Sequence, residues 1–99
     1  MPYIKPERRQ KIDNDVASLL ATLDELHQDD GNALKTGMTF VGGDLNYALS
    51  RIIWTLFEAR KNYATAAELV ATLDCVKMEF YRRKVAPYED EKAEQHGDL

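Results

Sequence analysis

Apolar residues recur at helical spacing in three stretches of this chain. No glycine or proline lies between Pro6 and Gly31. In that window Ile12, Val16, Leu19, Leu20, Leu23 and Leu26 form a single stripe, with Lys11, Asp15, Ser18, Thr22 and Glu25 off it. The pattern predicts a first helix over about 6–28. Pro6 suits its first position, where the N–H that proline lacks is not needed. Gln28-Asp29-Asp30-Gly31-Asn32 has turn chemistry, and its two aspartates sit badly with the negative end of a helix dipole, so the helix should stop there.

The second uninterrupted window runs from Gly43 to Pro87. It is long enough for two helices. Asp44 is a good cap for the first of them, predicted over about 44–61. Thr65 and Glu68 have the spacing of a capping box and start a third helix over about 65–85. Pro87 is expected to end it, because the residue before proline avoids helical backbone. A short last helix anchored by Tyr88 is expected within the tail 86–99. The stretch 29–43 reads as irregular. Within it Met38-Thr39-Phe40-Val41 suits either a brief strand paired with Met1–Ile4 or an extended arm packed on the helices. The expectation is all-α: one domain over 1–99, a three-helix antiparallel bundle with an extended N-terminal arm.

The second and third helices are apolar on two sides. Leu45, Ala48, Leu49, Ile52, Leu56 and Ala59 make the main face of the second, widened by Ile53 and Phe57, while Trp54 points away from it near Tyr47. On the third helix Leu69, Leu73, Val76 and Phe80 make one face, and Val70, Ala71, Met78, Tyr81 and Val85 another. A three-helix monomer has no use for that much apolar surface. Tyr3, Ile4, Phe40 and Val41 can fold over part of it, or a second copy can cover it; large apolar patches usually mark such contacts.

Composition narrows the possibilities. Ninety-nine residues with 44% hydrophobic content suit one modest core. A net charge of −4 argues against a general nucleic-acid binder. No apolar run is long enough to span a membrane, and the first ten residues lack the apolar core of a signal peptide. The single cysteine, Cys75, fits a reducing cytoplasm.

Catalytic chemistry finds little support. His27 and His96 have no cysteine, histidine or carboxylate at zinc-ligand spacing, and His27 reads better as a cation at a helix C-terminus. Asp29-Asp30-Gly31-Asn32 lacks the alternating ligands of a calcium loop. Cys75 has no neighbouring histidine and reads as a small apolar residue. Glu58, Glu68, Asp74 and Glu79 do not pair as the clustered carboxylates of a magnesium-dependent nucleotide hydrolase would. No metal, cofactor or catalytic residue is expected.

The densest polar set is Glu79, Arg82 and Arg83, which are neighbours on a helix. It is either a surface ion pair or an arginine fork, held by Glu79 and offered to a phosphate or carboxylate. Arg51, beside Tyr47 and Trp54, extends the set. Aromatics and arginines together suit a nucleotide-like anion, and equally a protein interface.

Several stretches carry a resemblance to a known family: Met-Pro-Tyr-Ile at the start, Gly43-Asp44-Leu45-Asn46-Tyr47, Tyr81-Arg82-Arg83 followed by Ala86-Pro87-Tyr88-Glu89-Asp90, and Gly97-Asp98. In these the chain resembles a domain-of-unknown-function family of short proteins from tailed phages and bacteria. The resemblance omits only the stretch 32–42. It implies a phage-type protein of the cytoplasm, host cytoplasm if phage-encoded, and no activity. It marks Asn46, Tyr47, Glu79, Arg82, Arg83 and Tyr88.

The leading expectation is a small non-enzymatic binding protein. It would self-associate through the second and third helices and engage a protein partner, such as a host protein. The alternative is an oligomer that sequesters a nucleotide-like anion with Tyr47, Arg51, Arg82 and Arg83. A metal-dependent nucleotide hydrolase comes third.

Overall fold

A computed structural model describes residues 4–37 and 40–97, apart from the side chains of 33 and 34. The chain is all-α, with no strand among the described residues. Helix α1 spans Pro6–Asp29, α2 Gly31–Lys35, α3 Gly42–Ala59 and α4 Tyr63–Phe80. A π turn at Tyr81–Val85 joins α4 directly to α5, Ala86–His96. The chain divides into two compact units, Met1–Thr55 and Leu56–Leu99.

In the first unit α1 begins as its sequence requires. Lys5 is extended, its carbonyl accepts from the N–H groups of Arg8 and Arg9 at 3.0 and 3.1 Å, and Pro6 opens the helix. The end is less abrupt than the Asp29-Asp30-Gly31 sequence suggests. Asp30 N–H bonds back to the His27 carbonyl at 3.1 Å, and a further short helix, α2, follows and packs on α1. The stretch 29–43 is therefore partly helical rather than irregular. Of the expected brief strand, Met38 and Thr39 lie outside the described residues, as do residues 1–3 of the N-terminal arm. Phe40 is in a bend and Val41 lies immediately before α3. Leu20, Leu23 and Asp24 of α1 line a groove of about 350 Å³ together with Phe40, Val41 and Leu45. His27, in the last turn of α1, is 7% exposed and is the one buried residue among those described.

Helix α3 starts at Gly42, two residues before the expected cap. The Val41 carbonyl accepts from Asp44 and Leu45 N–H at 3.1 and 3.2 Å, so Asp44 sits inside the first turn. An acid there still faces the positive end of the helix dipole. The apolar arc of α3 is wide: Ile53 and Phe57 are half-buried, whereas Leu49, Ile52 and Leu56 are exposed.

In the second unit α4 starts two residues earlier than Thr65-Glu68 suggests. Asn62 is the cap: it is extended (φ −159°, ψ 171°), and its side-chain oxygen accepts the Thr65 N–H at 2.8 Å. An asparagine cap satisfies an N–H that the helix cannot. Thr65 is thereby an interior first-turn residue rather than the cap.

Pro87 does not end the helix. The chain stays helical from Tyr63 to His96, a rod of about 50 Å. A proline inside an α-helix loses one bond, and its ring strikes the carbonyl four residues back. Here the π turn ends two residues before it, at Val85. Ala86 N–H bonds to the Tyr81 carbonyl five residues earlier, so the turn widens where the ring needs room. The expected break at 85–86 is replaced by one extra residue in the turn. Such π turns occur often at functional sites.

Candidate functional site

Two clusters of predicted residues stand out, one in each unit. The first lies along α3. Gly42, Gly43, Asn46, Tyr47, Ser50 and Trp54 line a groove of about 540 Å³. Their spacing of three and four residues puts them on one side of the helix. Tyr47 and Trp54 are 67% and 65% exposed, so the rings offer their surface to whatever enters. Asn46 Oδ1 accepts a hydrogen bond from Ser50 Oγ at 3.3 Å, which turns the amide along the helix. Arg51 is exposed on the same helix but does not line this groove.

The second cluster surrounds the π turn. Arg82 Nη2 donates to Glu79 Oε1 and Oε2 at 3.2 and 3.0 Å. Arg83 Nε approaches Glu79 Oε2 at 2.7 Å. One carboxylate thus braces two guanidinium groups. The hydrogen bonds from Arg82, and then the charges of both arginines, hold the Glu79 carboxyl below its usual range against the opposing effect of partial desolvation. The arginine side chains are 65% and 50% exposed. Beside them Met78, Phe80, Tyr81 and Val85, with Lys77, Glu79 and Arg82, line a mostly apolar groove of about 500 Å³.

Tyr81, read from sequence only as part of an apolar face, takes part in this cluster. Hydrogen bonding toward Glu89 on α5, and the charges of Glu89 and Asp90, push its ionisation above the ordinary tyrosine value. Tyr88 lines neither groove; the Lys92 ammonium lies over its ring, 5.5 Å from the centroid, a cation–π contact.

Asn46, Tyr47 and Trp54 therefore belong together, as do Glu79, Arg82 and Arg83. Arg51 and Tyr88 stand outside both grooves. Cys75 is a free, half-buried thiol. Among the described residues no group of three or more histidine, cysteine, aspartate and glutamate side chains is placed to hold a metal ion. No helix among them is long and apolar enough to cross a membrane.

The chain belongs to a family defined as a domain of unknown function (DUF6899), whose model matches residues 1–99. No curated protein and no solved structure matches it.

Proposed function

We propose that this chain is a non-enzymatic helical binding subunit of phage type, which self-associates through α3 and α4 and engages a protein partner. The observation that carries this reading is the surface of α4 and the first residue of the π turn. Leu73, Val76 and Phe80 on one side, and Val70, Met78 and Tyr81 on the other, are all exposed, four of them between 58% and 67%. Burying a single large apolar side chain contributes about 1.5–3 kcal/mol. Three such residues on either side give a second copy enough to bind, and a two-fold pair is the commonest way to close such a surface. The free thiol of Cys75 suits a reducing cytoplasm, that of the host if the gene is carried by a phage.

Sedimentation velocity tests the reading. A dimer or larger closed oligomer at micromolar concentration supports it; a monomer throughout that range refutes it.

A second reading has support of its own. Glu79 holds both Arg82 and Arg83 in place while both side chains stay at least half exposed, an arrangement suited to receiving a phosphate. With Tyr47 and Arg51 supplied across a subunit junction, such an oligomer would sequester a nucleotide-like anion. A thermal-shift screen of nucleotides against wild type and the Arg82→Ala, Arg83→Ala double variant tests it. A shift that survives the double substitution rejects this pocket.

A further inference from the structure

The rod from Tyr63 to His96 carries its charge in two blocks around the π turn. From Lys77 to Lys84 there are four cations, Lys77, Arg82, Arg83 and Lys84, and one carboxylate, Glu79. From Glu89 to Glu94 there are four carboxylates, Glu89, Asp90, Glu91 and Glu94, and one cation, Lys92. The single exception in the first block is neutralised inside its own chain, since Glu79 is bound by Arg82 and Arg83. The blocks are of equal size and opposite sign. Their midpoint is close to Ala86.

Between and beside the charges runs an apolar seam. Met78, Tyr81 and Val85 line the groove next to the π turn, and the extra residue in that turn brings Glu89 to within about 20° of Tyr81 around the axis, so the groove and the first of the acids lie on one side of the rod. Ala86 and Ala93, both small and half-buried, let another helix approach closely. Helices with small contact residues pack at the short end of the usual 8–10 Å.

We propose that the occupant of this surface is the same segment of a second copy, lying antiparallel across a two-fold axis near Ala86. In that arrangement Arg82, which lines the groove, faces Asp90 of the other copy, and the pair occurs twice. A foreign helix of either charge would match one block and repel the other. A parallel copy would set cation on cation. The antiparallel copy matches both blocks, as an isologous contact requires. The π turn then lies at the crossing point, and the groove of about 500 Å³ receives the partner's side chains.

The proposal rests on the self-association proposed above, and one experiment separates the two. Variant A carries Arg82→Glu, Arg83→Glu and Lys84→Glu, which makes both blocks acidic. Variant B carries Glu89→Lys, Asp90→Lys and Glu91→Lys, which makes both basic. Circular dichroism reports whether each remains helical. If variant A loses helicity, Arg82→Glu paired with Asp90→Arg takes the place of the two triple variants. By sedimentation velocity, A alone and B alone should each self-associate at least tenfold more weakly than wild type, and an equimolar mixture should form a heterodimer at least as tight as the wild-type dimer. High salt should weaken the heterodimer. A wild type that dimerises, with A and B dimerising equally well alone, overturns the antiparallel pairing and leaves self-association standing. A wild-type monomer overturns both.

Discussion

Replacing Asn62 by alanine removes one hydrogen bond and little else, which makes its cost calculable. The side-chain oxygen accepts the Thr65 N–H at 2.8 Å, and Asn62 is exposed, so no cavity or buried charge follows from the change. The backbone there is extended, a conformation alanine also adopts. The loss is therefore that of the cap alone, about 1 kcal/mol. For a domain of this size that lowers the melting temperature by about 4–8 °C. Asn62→Asp should keep most of the stability, since aspartate caps equally well. The capping-box alternative makes the opposite claim: Thr65→Val and Glu68→Gln should then be the costly changes. With Asn62 as the cap, each of those two stays within about 0.5 kcal/mol. Thermal melts by circular dichroism measure all four variants, at one protein concentration because association shifts the midpoint. An Asn62→Ala melt within about 1 °C of wild type, or a Thr65→Val loss larger than that of Asn62→Ala, refutes the assignment.

Pro87→Ala should return the π turn to α-helix, turning α5 by about 100° relative to α4 as one residue leaves the turn. Tyr81 then loses Glu89, and its ionisation moves back down toward the ordinary value; absorbance titration against a Tyr81→Phe control reads this, and an unchanged Tyr81 counts against proline as the cause. Glu79 sets an acid dependence. Its carboxyl ionises below the ordinary 4.5 in the folded chain, so the stability it contributes is present above 4.5 and is lost as pH falls through the lower folded value. Glu79→Gln should lose less thermal stability than wild type between neutral pH and about pH 3, and equal losses would show that the ion pair does not couple to folding.

The helices were legible in the sequence because each rests on many residues at once. The α1 stripe has six apolar positions and a proline at its start, and its predicted limits lie within a residue of those found. Helix ends rest on single hydrogen bonds, and there the sequence offers more than one candidate. Thr65-Glu68 matches a known pattern, yet Asn62 sits three residues before Thr65 and reaches the same N–H group first. Asp44 is a good cap by type, but nothing in Gly42-Gly43 prevents the helix from starting before it. Residue type limits where a helix can begin; it does not choose between two suitable residues a few positions apart.

The candidate site divides the same way. Glu79, Arg82 and Arg83 were visible because ordinary helical spacing of three and four brings them together, and Asn46, Tyr47 and Trp54 for the same reason. Tyr81 with Glu89 was not visible. Residues eight apart on a regular α-helix differ by about 80° in direction and do not meet. One extra residue in the intervening turn removes about 100° and brings them to within about 20°. The signal for that extra residue was present, a proline inside an otherwise uninterrupted helical pattern. It has two physical outcomes, a stop or a widened turn. The apolar and small positions on both sides of it, Val85 and Ala86 before and Ala93 after, are what favour the second, because a helix that still has a face to bury gains more by continuing than by ending. The same residues form the seam on which the antiparallel pairing depends, so the fate of the proline and the proposed interface are one question about this segment.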